Sequence, residues 1–227
     1  MSHRTRIKIC GLTRPEDVLA AVSAGADALG FVFYPHSPRH VKPRQAAELI
    51  ALVPPFITTV GLFVNASADE IAQAIVLAPV SLLQFHGDEA AEHCAAAARA
   101  VGRPFLRAAR VKPDTTSHDL LQYESNYRAA SSLFSGLLLD THVDGYGGAG
   151  KVFDWSLIPE ELAPRVVLSG GLNVQNVAGA ISGVRPHAVD VSSGVEHAKG
   201  IKDAEKIRAF ISAVRQADAA RRRVSQF

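Results

Sequence analysis

Short runs of apolar and β-branched residues recur along the chain, with stretches of helical period between them. The runs are RIKIC (6–10), DALGFVF (27–33), TTVGLFV (58–64), SLLQFH (81–86), PFLRAARV (104–111), GLLLDT (136–141), RVVLSGG (165–171) and AVDVSSG (188–194). Their hydrophobicity is nearly continuous, as strands buried on both faces require. Strands alternating with helices predict an α/β fold with a parallel sheet. Eight such units fit a closed (β/α)8 TIM barrel better than an open doubly wound sheet, because no G-x-G-x-x-G turn follows the first run.

Local signals sharpen the helix starts. Thr13 and Glu16 have capping-box spacing with Pro15 in the first turn, and Ser67 and Glu70 repeat the pattern. Val18, Leu19 and Val22 are expected on the buried face of the first helix, Glu16 and Asp17 favour its positive end, and Gly25 ends it.

The chain has 227 residues, within reach of a single α/β barrel, so residues 1–227 are read as one domain with a loose polar tail from about 216. The net charge of +2, from 24 basic and 22 acidic residues, is too small for the broad positive field that nucleic acid requires. Arg221, Arg222 and Arg223 then read as a solvated helix end. No run of about 18 apolar residues exists to cross a membrane, and MSHRTRIKIC lacks the apolar core of a signal peptide. Two cysteines do not make a disulfide framework, and the expected location is a reducing cytoplasm.

Barrels place their chemistry at the carboxyl ends of the strands. Here those positions hold Cys10, Arg39 in the following loop, Asn65, His86, Arg110, Asp140, Gly170 with Gly171, and Ser192 with Ser193. In SGGL (169–172) and VSSGV (191–195) the glycines, Gly194 included, either permit tight turns or bring main-chain N–H groups to a phosphate. Their occurrence on adjacent strands favours phosphate. GYGGAGK (145–151) lacks Walker spacing and reads as a mobile loop. A lone cysteine at a strand end is most often a packed thiol. For Cys10 the surrounding polar rim argues for reactivity, whereas Cys94, in AEHCAAAARA, reads as packing. His86 is expected to be a hydrogen-bonded rim or core histidine.

KICGLT, GFVFYPHSPR, GLFVN, QFHGDE, LLLDT with GYGGAGKVFDW, SGGL and DVSSGVE, in this order from Lys8 to about Phe210, resemble the phosphoribosylanthranilate isomerase family. The resemblance implies an Amadori rearrangement in tryptophan biosynthesis on a small phosphosugar, without cofactor or metal, by a monomer or homodimer. It makes Cys10 the general base and Asp140 the general acid, with Arg39 on the anthranilate carboxylate. Gly170, Gly171, Ser192, Ser193 and Gly194 then surround the phosphate, and Asp190 lies close in support. Phe85 stands where the family pattern has leucine, and Asp154 and Trp155 are read as bracing the loop after the sixth strand.

These roles need unusual protonation states, because an ordinary cysteine is a thiol at pH 7 and an ordinary aspartate a carboxylate. The site is expected to lower the first by positive charge, with Lys8 the candidate two residues away on the same strand face, and to raise the second by desolvation. Two rivals remain. A related histidine-pathway isomerase would carry aspartate in place of Cys10, and a non-catalytic binding protein would not need the Cys10 and Asp140 pair.

Overall fold

The computed structural model describes residues 4–142 and 152–224. Strands β1 (Arg6–Cys10), β2 (Ala28–Val32), β3 (Thr58–Phe63), β4 (Leu82–Phe85), β5 (Phe105–Val111), β6 (Phe134–Thr141), β7 (Val167–Leu168) and β8 (Ala188–Val191) form a closed parallel barrel in chain order. The ring shuts where β1 pairs with β8, which sets Lys8 opposite Asp190. Each apolar run therefore becomes a strand. β7 keeps only two residues of its run because the chain turns at Gly170 and Gly171, both in the left-handed region.

Strand parity sorts the side chains into two layers. Ile7, Ile9, Leu29, Phe31, Leu83, Phe85, Leu137, Leu139 and Val189 point outward into the main core beneath the helices. Phe85 is fully buried there, edge-on to Phe105 with ring centroids 5.5 Å apart, so its place in QFHG is one of packing. Leu106, Ala108, Leu138, Val167 and Ala188 instead form a separate plug inside the barrel. Two residues further along the same inward rows come Arg110, Asp140, Ser169 and Asp190, so alternation alone carries polar side chains to the barrel's C-terminal mouth.

The helices are α1 (Pro15–Ala24), α2 (Pro43–Ile50), α3 (Ala68–Leu77), α4 (Ala91–Val101), α5 (Ser117–Ala130), α6 (Val177–Val184) and α7 (Ala204–Val224). Among the described residues the β6–β7 connection has no α-helix, only short 3-10 turns at Trp155–Leu157 and Ala163–Arg165. Asp154 caps the first of these through the Ser156 N–H and hydroxyl. The glycine-rich segment 145–151 lies outside the described residues. After β8 the chain adds an antiparallel hairpin, β9 (Glu196–Ala198) and β10 (Ile201–Lys202), whose strands are too short to carry a periodic signal.

Three local expectations are corrected. Ser67 and Glu70 do form a capping box, but Thr13 and Glu16 do not. The Thr13 hydroxyl donates instead to the Gly200 carbonyl at 2.6 Å, and α1 starts after Arg14. Leu19 is half exposed, and the buried face of α1 is Asp17, Val18 and Ala21. Asp17 can be buried because Arg14 and the Lys202 N–H satisfy its oxygens. No loose tail begins at 216: α7 runs on to Val224 because Ala217 packs inward and the buried Asp218 accepts from both the N–H and hydroxyl of Thr5 at 2.8 Å.

Candidate active site

The floor of the barrel mouth is an ion pair. Lys8 Nζ lies 2.8 Å from Asp190 Oδ1, with both side chains almost wholly buried, and the Ser169 hydroxyl donates to Asp190 Oδ2 at 3.0 Å. Two unit charges survive there because each is met by partners; losing one partner of such a pair costs about 3–5 kcal/mol. Each Asp190 oxygen thus already accepts a hydrogen bond, and the carboxylate bears on the site through Lys8. Burial works against the Lys8 ammonium, but Asp190 and the neighbouring Cys10 outweigh it and raise its pKa.

Cys10 sits directly above, in register with Gly30 of β2. A Cβ on Gly30 would come within 2.8 Å of the Cys10 sulfur and 3.2 Å of Lys8 Nζ, so the missing side chain is the space those groups occupy. Lys8 Nζ lies close to the thiol, as strand parity predicts, but burial overturns the expected lowering of the pKa. Burial pushes the Cys10 thiol up, ahead of the opposing pull of Lys8, and the Asp190 carboxylate pushes it further. The free site therefore holds a thiol with a cation waiting beside it.

Arg39 reaches the same place from the loop after β2. Its Cδ lies where a Cβ on Gly11 would be, 2.5 Å away, and Gly11 has φ +75°, so the chain needs glycine there for both reasons. The guanidinium is not free. Its Nε and Nη2 donate to Glu196 Oε1 and Oε2 at 2.7 and 2.8 Å. Lys202, fully buried, donates to Glu196 Oε1 at 2.9 Å and to the Ser192 carbonyl and hydroxyl at 3.1 and 3.2 Å. Burial alone would raise the Glu196 carboxyl, but the Arg39 hydrogen bond and the Lys202 charge hold it below the ordinary range. Burial conversely lowers Lys202 despite Glu196. Neither Glu196 nor Lys202 is found from sequence, since the partners of Arg39 lie 157 positions away.

On the opposite wall Asp140 is the penultimate residue of β6. Its Oδ1 accepts from the Thr141 N–H at 2.8 Å, and its Oδ2 lies 3.0 Å from His86 Nε2. The other ring nitrogen of His86 accepts from the buried Gln84 Nε2 at 2.8 Å. With that assignment the neutral ring carries its proton on Nε2 and donates it to Asp140. His86 is therefore the hydrogen-bonded rim histidine expected, but its partner is the candidate acid itself. Gly170 backs onto this pair: with φ +78°, a Cβ there would stand 2.5 Å from Thr141 N and 2.9 Å from Asp140 Oδ1.

The segments after β7 and β8 abut, because Gly194 packs its bare Cα against the Leu172 carbonyl. The Gly171 carbonyl is held by Asn176 Nδ2 at 2.9 Å. Neither the Gly171 nor the Ser193 N–H has an acceptor among the described residues. The Ser192 hydroxyl donates to the Cys10 carbonyl at 3.0 Å and accepts from Lys202. It braces the site from within. Asn65 and Arg110 belong to another cluster: the Asn65 N–H binds Glu89, and Arg110 pairs with Asp88. Cys94 is buried in α4, and that burial pushes its thiol up to about 12, which leaves it a packing residue.

The family model for N-(5'-phosphoribosyl)anthranilate (PRA) isomerase matches residues 7–213. The N-(5'-phosphoribosyl)anthranilate isomerase of Herminiimonas arsenicoxydans is 66% identical over 220 residues, 97% of each chain. The crystal structure of the phosphoribosyl anthranilate isomerase from Thermotoga maritima superposes with a TM-score of 0.80 at 42% identity, covering 93% of this chain and 99% of that one. A second solved phosphoribosyl anthranilate isomerase, in complex with reduced 1-(o-carboxyphenylamino)-1-deoxyribulose 5-phosphate, gives a TM-score of 0.75 at 38% identity over 93% of this chain and 99% of that one.

Proposed function

The chain belongs to the N-(5'-phosphoribosyl)anthranilate isomerase family, and from that membership we propose how its residues divide the reaction. The activity is the Amadori rearrangement of N-(5-phosphoribosyl)anthranilate to 1-(2-carboxyphenylamino)-1-deoxyribulose 5-phosphate in tryptophan biosynthesis. An acid protonates the ribose ring oxygen, the bond from that oxygen to C1' breaks, and a Schiff base forms. A base then takes the C2' proton, and the enolamine relaxes to the ketone.

Asp140 is the acid, and His86 Nε2, 3.0 Å away, holds its carboxyl in place. Cys10 is the base, and Lys8 stabilises the thiolate as it forms. The observation carrying this assignment is that both candidate groups lie at the carboxyl ends of strands of one barrel, Cys10 beside the Lys8 ammonium and Asp140 hydrogen-bonded to His86. The N–H groups of Gly171 and Ser193, without acceptors among the described residues, hold the phosphate, and Arg39 holds the anthranilate carboxylate. Turnover is followed by loss of substrate fluorescence. With Arg39→Ala, KM is expected to rise about tenfold to a hundredfold with kcat changed much less, the scale of one charge-assisted contact. An unchanged KM removes Arg39 from the substrate.

Cys10 and Cys94 are both free thiols, the state a reducing compartment maintains, and the cytoplasm is the proposed location. Among the described residues no helix is long and apolar enough to cross a membrane.

Self-association is proposed at the opposite mouth of the barrel. Phe56 is fully exposed with φ +72°, a costly placement for an aromatic residue, at the rim of a cavity of about 700 Å³. Leu52, Val76 and Leu77 are exposed at the same end. A homodimer that inserts Phe56 into its partner's cavity explains both features. Sedimentation equilibrium should find a dimer for the natural chain and a monomer with kcat retained for Phe56→Ser; a natural chain that sediments as a monomer rejects the pairing.

A further inference from the structure

Arg39 offers two edges to a carboxylate: the side edge, Nε with Nη2, and the end edge, Nη1 with Nη2. Glu196 closes the side edge with two hydrogen bonds of 2.7 and 2.8 Å. Nη1 has no partner among the described residues, although the Arg39 side chain is only 12% exposed. The carboxylate is itself pinned. Its Oε1 also accepts from Lys202 Nζ at 2.9 Å and from the Gly200 N–H at 3.3 Å, and the Arg39 stem is wedged over Gly11. A long side chain that ordinarily samples many rotamers is thus fixed at both ends.

We infer that Glu196 is the positioning residue for recognition of the substrate carboxylate: by occupying the side edge of Arg39 it aims the end edge into the barrel mouth as the sole bidentate site for the anthranilate carboxylate. This rests on the assignment of Arg39 to that carboxylate. The same contact gives Lys202 its counter-charge, so Glu196 joins the carboxylate end of the site to Ser192 and, through the Ser192 hydroxyl, to the Cys10 carbonyl. A carboxylate with only a structural duty would serve Lys202 alone and leave Arg39 mobile. Here its second oxygen is given wholly to Arg39.

The test is a double-mutant cycle read in KM and kcat. Glu196→Gln keeps the shape and loses the charge, and is expected to raise KM about tenfold or more, the scale of one hydrogen bond between charged groups, with kcat within about threefold. Glu196→Asp, which keeps the charge on a shorter stem, should recover part of the loss. In an Arg39→Ala background, Glu196→Gln should change KM no further. Thermal melting of each variant confirms that folded enzyme is compared, and Glu196→Asp in both backgrounds supplies the cycle should Glu196→Gln not fold. If Arg39→Ala raises KM but Glu196→Gln does not, or if the two effects multiply independently, the positioning role is overturned while Arg39 keeps its assignment. If Arg39→Ala leaves KM unchanged, the underlying assignment fails, and the inference with it.

Discussion

Cys10→Ala is expected to lower kcat at least a hundredfold, the ordinary scale of a general-base contribution, with KM nearly unchanged. The substitution removes one buried sulfur and leaves the Lys8–Asp190 pair intact at 2.8 Å, so its cost in stability is about 1 kcal/mol, that of one buried methylene-sized group. The pH dependence distinguishes this base from others. Burial, only partly offset by Lys8, raises the thiol above its ordinary value. The thiolate is then a small fraction at neutral pH and grows about tenfold per pH unit until the raised pKa is reached. In the natural chain kcat/KM, which reports the free enzyme, should climb as pH rises above 7, and the residual activity of Cys10→Ala should lose that climb. A flat profile for the natural chain between pH 7 and 8.5 would identify a different base, as would near-normal turnover by the variant.

How much of this site was legible in the sequence depends on the range of the interaction. Lys8 beside Cys10 follows from two-residue alternation within one strand, and Asp140 follows from the apolar run that carries it to a strand end. The eight strands were readable because burial on both faces forces continuous hydrophobicity. The net effect on the Cys10 thiol was not readable, since it depends on burial by the closed barrel, with Asp190 from across the closure adding to it against the pull of Lys8. The Thr13 and Glu16 spacing misled for the same reason: a carbonyl 187 positions away took the hydroxyl that local rules reserve for a helix cap. Arg39 could be picked out within SPR, but Glu196 and Lys202 sit in a hairpin of three- and two-residue strands. Only the fold brings that hairpin against the loop after β2. Long-range ion pairs thus set the orientation and charge of groups that short-range pattern can only nominate.

Asp140→Asn is expected to cost kcat at least a hundredfold as well, and the geometry shows why so small a change suffices. Asparagine keeps one acceptor oxygen, so His86 Nε2 can still donate across the gap of about 3.0 Å that it now spans. The other position becomes an amide that meets the Thr141 N–H donor to donor, where the carboxylate accepted at 2.8 Å. That mismatch costs about 1–3 kcal/mol if it stays buried, less if the side chain turns to meet solvent, and the barrel still folds. What is lost outright is the carboxyl able to give a proton to the ribose oxygen. Ring opening then falls to water or to the imidazole reaching past the amide, neither of which is held against the ring oxygen. Because phosphate and carboxylate are gripped elsewhere in the proposed arrangement, KM should move little. Steady-state kinetics with the fluorescence assay decides it: a fall in kcat with KM retained assigns Asp140 to the transition state, whereas turnover within about tenfold of the natural chain would show that the proton arrives by another route.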